Sequence, residues 1–311
     1  MNDTQLVSII IPTYKSGDTL KLAIESALNQ TYQNIEVIVV DDNNPNTDFR
    51  IKTEIVMKNY EDNPKVKYIK HEKNKNGSAA RNTGFRTSKG NYICFLDDDD
   101  VFLERKIEKQ VKFLQENTQY MAVYTWRYQH GKVISYTKSG DLSEELLLLS
   151  FTPYTSSIMI KRESYVYING FDESYTRHQD YEFLLRFFEY YPIGVIEEPL
   201  IEIKGNGIDN ALHGNKLEEL KSQFLSQFNP HIERINEERK GFKKLVYARH
   251  YSTVFWDYLA RKKIKHAKNI LVKYTSMCGI VFWKCLYNVF IVRAKVKVTR
   301  FLGISRMKMV D

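Results

Sequence analysis

Residues 92–100 read YICFLDDDD. A short, largely apolar run passes straight into four aspartates. The run has the length and composition of a buried strand, and four like charges at its end need positive charge close by. A divalent cation supplies it compactly. Hard cations take oxygen ligands, and Mg²⁺ commonly uses one or two carboxylates together with phosphate oxygens. Asp97 and Asp99 project to one side if the chain stays extended, so a metal held by one or both would bridge to a diphosphate. The competing reading assigns the aspartates to the N-terminus of a helix beginning near Val101. It accounts for Asp99 or Asp100 better than for four in a row.

Outward from this stretch, strand and helix patterns alternate. Val7–Ile11 is a β-branched run closed by Pro12. Asp18 is placed to cap a helix with Leu20, Ala23, Ile24, Ala27 and Leu28 on one face. IEVIVV at 35–40 is a second buried run and ends at Asp41-Asp42. A helix over 51–60, a strand over 66–69 and a helix over 79–87 follow, and 101–115 is again helical, with Ile107, Val111 and Leu114 aligned. Such alternation predicts a mostly parallel sheet with helices on both faces. Ligands of open sheets bind outside the carboxyl ends of the strands. Thr13-Tyr14, Asp41-Asp42 and the four aspartates all fall there. Asp41-Asp42 reads either as an acceptor for a nucleobase or ribose, or as the opening of the NNPN turn.

Beyond 121 the pattern is mixed. Residues 121–128 and 132–136 would pair as strands around His130-Gly131, 143–150 and 161–167 are short helices, and 155–160 is a strand. DYEFLLRFFEY at 180–190 is helical, 205–215 is a long Gly/Asn-rich loop, and everything beyond about 217 is helical. Two regions are therefore expected: 1–215, and a helical 216–311.

The chain has 311 residues, 43% of them apolar, and a net charge of +8. Residues 241–311 carry 16 Lys and Arg against 2 Asp and Glu, so the tail is strongly basic and the remainder mildly acidic. The tail contains RKKIKHAK, GIVFWKCLYNVFIV and RAKVKVTR. Its apolar stretch, 280–292, is shorter than the roughly 20 residues that span a bilayer. It reads either as a helix lying on an anionic membrane surface or as a packing surface for the catalytic region or a homo-oligomer. No nucleic-acid recognition motif accompanies the charge. The opening MNDTQLVSIIIPTY lacks a basic n-region and a long apolar core, so no signal peptide is expected. Three cysteines without a CxxC pair fit a reducing, cytoplasmic setting, peripheral on the inner face of the plasma membrane if the tail binds lipid.

VSIIIPTY, SALNQTY, IEVIVVDD, GSAARNTGF, YICFLDDDD, GFDE at 170–173 and QDYEFLLR at 179–186, in that order, resemble the family-2 glycosyltransferases of the GT-A (Rossmann-like) fold. The resemblance covers about residues 6–203. It implies an α/β mixed sheet, a nucleotide-diphosphate sugar donor (a UDP-sugar), Mn²⁺ or Mg²⁺, inversion at the anomeric carbon, and a glycan, lipid-linked or glycoprotein acceptor. By the same resemblance Pro12, Thr13 and Tyr14 border the base, Asp42 bonds it with Asp41 alongside, and Arg81 approaches base or diphosphate. Asp99 is the main metal ligand, Asp97 or Asp98 reaches ribose or metal, and Asp180 is the catalytic base. Two departures stand out. Gln179 replaces the first acid of a common Glu-Asp pair, and IEIKGNGIDN stands where many relatives have Arg-x-His, with His213 a weak substitute. The bland reading of Asp180 is a helix cap. His178 reads as an acceptor contact or a plain loop residue, and Trp126, Tyr124 and Tyr128 as a sugar platform or core. The alternatives to a transferase are a sugar-phosphate nucleotidyltransferase, for which PTYKSGDT is a poor Gly-rich loop, and an inactive sugar-nucleotide scaffold.

Overall fold

The structure is a computed structural model that describes residues 5–16, 19–152, 154–205 and 211–301, with side chains to 294. The expected cap Asp18 and the middle of the 205–215 loop lie outside the described residues. The chain divides into two compact units, Met1–Leu146 with Phe151–Gly207, and Leu147–Ser150 with Ile208–Asp311.

The first unit carries β1 (Val7–Thr13), α1 (Thr19–Leu28), β2 (Ile35–Asp41), α2 (Asp48–Lys58), β3 (Val66–Lys70), α3 (Gly77–Thr87), β4 (Tyr92–Phe95), β5 (Asp100–Phe102) and α4 (Lys106–Glu116). It continues through β6 (Ala122–Gln129), β7 (Lys132–Ile134), α5 (Ser143–Leu147), a 3₁₀ turn (Thr155–Ser157), β8 (Ile158–Lys161), α6 (Arg162–Tyr167), α7 (Gln179–Phe188) and β9 (Ile193–Ile203). The strands form one mixed sheet in the order β3-β2-β1-β4-β8-β6-β9-β5, with β7 on β6. β1, β2, β3 and β4 are parallel to their neighbours among themselves, whereas β8 runs antiparallel to β4 and β6.

Period-two alternation decides what packs where. Val7, Ile9 and Ile11 of β1 join Val37 and Val39 of β2 in a core with Leu20, Ala23, Ile24 and Ala27 of α1 and Ile107, Val111 and Leu114 of α4. On the other side α3 comes so close that a Cβ on Gly84 would meet Ile10 Cγ2 at 2.3 Å. Burying each such aliphatic side chain contributes about 1.5–3 kcal/mol. The chain leaves β1 for β2 and β3 on one side and returns to β4 on the other. The point where strand order reverses is therefore the β1–β4 boundary, and a crevice opens at their carboxyl ends.

Three expectations are corrected here. Residues 100–102 are a strand, not the start of a helix: Asp100 pairs with Ile203 and Phe102 with Ile201 of β9, and α4 begins only at Lys106. The four aspartates therefore do not cap that helix. Nor does the chain stay extended through them, because the Asp100 amide donates to the Asp97 carbonyl at 3.0 Å, closing a turn. Thr155–Ser157 is a 3₁₀ turn that leads into β8 rather than part of the strand.

The second unit is helical: α8 (Asn215–Gln227), α9 (Asn229–Glu238), α10 (Phe242–Ala260), α11 (Ile264–Cys278) and α12 (Ile280–Phe301). Pro230 opens α9, where its missing N–H costs nothing. His213, the weak substitute of the sequence reading, contacts the Asp257 carboxylate at 2.8 Å within this unit. Cys278 and Cys285 are buried free thiols, as is Cys94 in the sheet.

Lys106 is fully buried in the first unit, its ammonium 2.7 Å from Gln110 Oε1 and 4.0 Å from the Phe102 ring centre. Burial pushes its pKa down to about 8, against about 10.4 for an unfolded lysine. Between those values the unfolded chain holds a proton that the folded chain has lost, so this group's contribution to stability rises with pH. Thermal unfolding of wild type and Lys106→Met, compared at about pH 7 and about pH 10, is expected to show that rise in the wild type only. Equal pH dependence in both would refute it.

Candidate functional site

The crevice at the β1–β4 boundary is built from strand ends. β1 delivers half-buried Pro12, buried Thr13 and, one residue on, exposed Tyr14. The Tyr14 amide donates to Asp98 Oδ2 at 3.3 Å, across the boundary. Asp97, Asp98 and Asp99 are half-buried and Asp100 is buried. Their charges interfere. Burial first, then the charges of Asp99 and Asp97, push Asp98 up to about 7 despite the hydrogen bond from the Tyr14 amide. Burial and the same kind of repulsion also raise Asp99 and Asp100.

One arginine answers this charge directly. The motif GSAARNTGF forms α3, whose N-cap Asn76 accepts from the Ala79 amide at 3.1 Å. Arg81 is buried and reaches Asp97 Oδ1 at 2.6 Å and Gln179 Oε1 at 2.7 Å. The next residue, Asn82, turns the other way. It grips the GFDE loop through Phe171 and Glu173 and accepts from the Tyr165 hydroxyl at 2.8 Å. Gln179, a neutral residue standing where many relatives carry an acid, thus accepts from Arg81 and donates to the Tyr175 carbonyl at 3.0 Å.

Asp180 lies in the first turn of α7 and is half-buried. Burial raises its pKa, Arg81 and a hydrogen bond from Thr155 lower it, and Asp97 raises it again. The Thr155 hydroxyl donates to Asp180 Oδ1 at 2.5 Å. Its neighbour Ser156 accepts from the Asp97 amide at 3.1 Å and donates to Asp100 Oδ2 at 2.8 Å. One 3₁₀ turn therefore fixes both the acid cluster and Asp180. The sequence reading passed over these residues, because Thr and Ser near a strand carry no motif.

Asp41 and Asp42 are engaged by protein groups. Asp41 is fully buried, 3.2 Å from Arg50 Nε, and accepts from the Tyr68 hydroxyl at 2.6 Å and from Asn43. Asp42 Oδ1 contacts His71 Nδ1 and the Lys75 amide, both at 2.8 Å, and Oδ2 takes the Asn74 side chain and the Asn76 amide. Asp42 thereby holds the loop that leads into α3. His178 is the left-handed residue before α7 (φ 59°), stacked on Tyr181 at 5.1 Å. Trp126 Nε1 donates to the Tyr136 carbonyl at 2.9 Å, and the Tyr124 hydroxyl to the Lys138 carbonyl at 2.6 Å. Of the three aromatics only Tyr128 is exposed.

Among the described residues no three His, Cys, Asp or Glu side chains are grouped to hold a metal ion. A hard cation here would take at most two protein carboxylates and draw its other ligands from phosphate and water. The donor set suits that: oxygen only, and bearing more negative charge than Arg81 offsets. The end of β9 shapes the spot, since a Cβ on Gly205 would fall 2.0 Å from Asp99 Oδ2. Only glycine leaves that carboxylate its place.

The description "Glycosyl transferase family 2" matches residues 8–184. The glycosyltransferase MJ1057 of Methanocaldococcus jannaschii is 32% identical over 232 residues, 71% of this chain and 78% of that protein. The amylovoran biosynthesis glycosyltransferase AmsB of Erwinia amylovora is 30% identical over 58% of this chain and 62% of its own length. The chain spans only 27 to 39% of the longer Rickettsia glycosyltransferases it matches. The crystal structure of S. aureus TarS 1-349 in complex with UDP-GlcNAc superposes with a TM-score of 0.61 over 87% of this chain and 91% of that one, at 15% identity. That likeness bears out the expected fold, a GT-A-like mixed sheet flanked by helices and followed by a helical region. The order of motifs, the crevice they build and the family match agree: this chain belongs to glycosyl transferase family 2.

Proposed function

We propose that the chain is an inverting, metal-dependent glycosyltransferase that moves a sugar from a UDP-sugar to a hydroxyl of a surface glycan or a lipid-linked or glycoprotein sugar. The observation that carries this reading is Asp180, at the start of α7, beside a guanidinium that is itself paired to the acid cluster. The UDP-GlcNAc in the TarS complex supports a uridine donor, and the role of AmsB in amylovoran biosynthesis supports a polysaccharide acceptor.

Pro12, Thr13 and Tyr14 would border the base, with Asp41 and Asp42 shaping the loops beside it. Asp97 and Asp99 would hold Mn²⁺ or Mg²⁺, which when bound stabilises charge on the departing diphosphate. Arg81, already at Asp97, is within reach of the same charge. Asp180 takes the proton of the acceptor hydroxyl. The acceptor's hydroxyl oxygen then bonds to the anomeric carbon from the face opposite the diphosphate, whose oxygen leaves with the bonding pair, so configuration inverts. Arg81 and Thr155 oppose the effect of burial on Asp180 and so favour its ionised form.

Asp180→Asn is expected to fold and bind donor but lose about 10²–10⁴-fold in turnover. Thr155→Val should retain turnover while the acid limb of its pH–rate profile moves to higher pH, because a donor to the carboxylate is gone. Near-wild-type turnover in Asp180→Asn would remove it from the mechanism.

Gly205→Ala should displace Asp99 and, like Asp99→Ala, is expected to weaken Mn²⁺-dependent donor binding about tenfold, with little effect in the absence of metal (about tenfold is 1.4 kcal/mol). Calorimetric donor affinities that match wild type in Mn²⁺ would discard the metal assignment.

α12 supports a peripheral attachment to an anionic membrane. No described helix is long and apolar enough to cross a bilayer. α12 is nonetheless apolar on two faces: Phe282, Cys285 and Leu286 are buried, whereas Ile280, Trp283, Tyr287 and Phe290 are 47 to 68% exposed. With the +14 tail, a second copy on this face would bring like charges together, while anionic headgroups would meet opposite charge. The chain is expected to float with phosphatidylglycerol vesicles, and less so after Trp283→Ser with Tyr287→Ser. Failure to float, or a dimer broken by the same pair of substitutions, would sink the membrane reading.

A further inference from the structure

Three buried or partly buried arginines of the first unit have carboxylate partners, Arg50 with Asp41, Arg81 with Asp97 and Arg186 with Glu182, and Arg162 donates to the Gly90 carbonyl and the Ser88 hydroxyl. Arg127 differs. It sits on β6 where the register against β9 slips, between Trp126↔Pro199 and Tyr128↔Glu202, an irregularity of the kind that re-aims a side chain beside a site. Its guanidinium is half-buried and stacks 3.9 Å from the centre of the Tyr154 ring. Its Nε is buried without a hydrogen-bond partner, and among the described residues it has no ion pair. Burial holds its pKa below the usual arginine value, with Tyr154, Tyr181 and Asp100 as the neighbours that work against that. A partly desolvated cation without a directly paired carboxylate is costly, and a ring beneath it recovers only part of the loss.

Its neighbours place it. Tyr154 precedes Thr155, the donor to Asp180, and Tyr181 follows Asp180. Arg127 therefore neighbours the residues that flank Thr155 and Asp180, while Arg81 is paired to Asp97 and also acts on Asp180. We propose that Arg127 pairs with an anionic group, a carboxylate or phosphate, carried by the acceptor next to the hydroxyl that is glycosylated. This rests on the assignment of Asp180 as the base, since that assignment makes the Arg127 side the acceptor side.

The test is a calorimetric titration of the full chain, with UDP present, using D-glucuronate against D-glucose and sn-glycerol 3-phosphate against glycerol. The anionic member of at least one pair is expected to bind at least tenfold more tightly than its neutral counterpart. Arg127→Gln should abolish that preference, and Arg127→Lys should retain part of it, which a merely structural arginine would not do. Equal binding within both pairs, or a preference that survives Arg127→Gln, overturns the proposal. So does an Arg127→Gln variant whose loss appears as tenfold weaker UDP binding, because the anion would then be the donor's diphosphate. The turnover of Asp180→Asn is read separately: activity there would sink the base, while absent charge discrimination sinks only the acceptor anion.

Discussion

Four carboxylates crowded at the end of a buried strand, answered by a single guanidinium, set the terms for this site. Two unit charges 4 Å apart interact by about 4 kcal/mol at an effective dielectric constant near 20. The Arg81–Asp97 contact at 2.6 Å is thus a large local effect, and it covers only one of the four acids. Burial first, and then repulsion among them, makes the other three hold protons more tightly, and Asp98 rises to about 7. Much of the surrounding architecture serves to bring Arg81 there. Gly84 lets α3 press against Ile10 and Val40, Asn76 caps its start, and Asn82 ties the helix to the loop before α7.

What was legible in the sequence followed from local pattern. The runs VSIII, IEVIVV and YICF could only be strands buried on both faces, and each ended in polar residues, so the crevice was readable before any coordinate. What was not legible depends on partners far along the chain. Val101 and Phe102 look like the start of a helix until β9, a hundred residues later, offers them an edge. The turn at 97–100 follows from that pairing, because the chain must change direction between β4 and β5. Thr155, Ser156 and Gly205 are ordinary residues that become parts of the site only because folding sets them beside Asp180, Asp100 and Asp99. Asp42 reads in the sequence either as a contact to the base or as the opening of a turn, and its contacts to His71 and to the amides of the loop that enters α3 depend on residues some thirty positions later.

The departure at 179 acquires a physical meaning from these contacts. A glutamate there would pair with Arg81 as a second anion and divide the guanidinium's charge between itself and Asp97. Gln179 offers an amide oxygen at 2.7 Å instead, which orients the guanidinium without neutralising it. The full positive charge then remains for Asp97 on one side and Asp180 on the other, and it is the main influence opposing the effect of burial on Asp180. A half-buried carboxylate expected to accept a proton must be ionised before the acceptor arrives, and raising its pKa too far would leave it already protonated at neutral pH. The neutral residue beside it therefore helps to keep the carboxylate available as a base while burial strengthens its affinity for the proton it is to take.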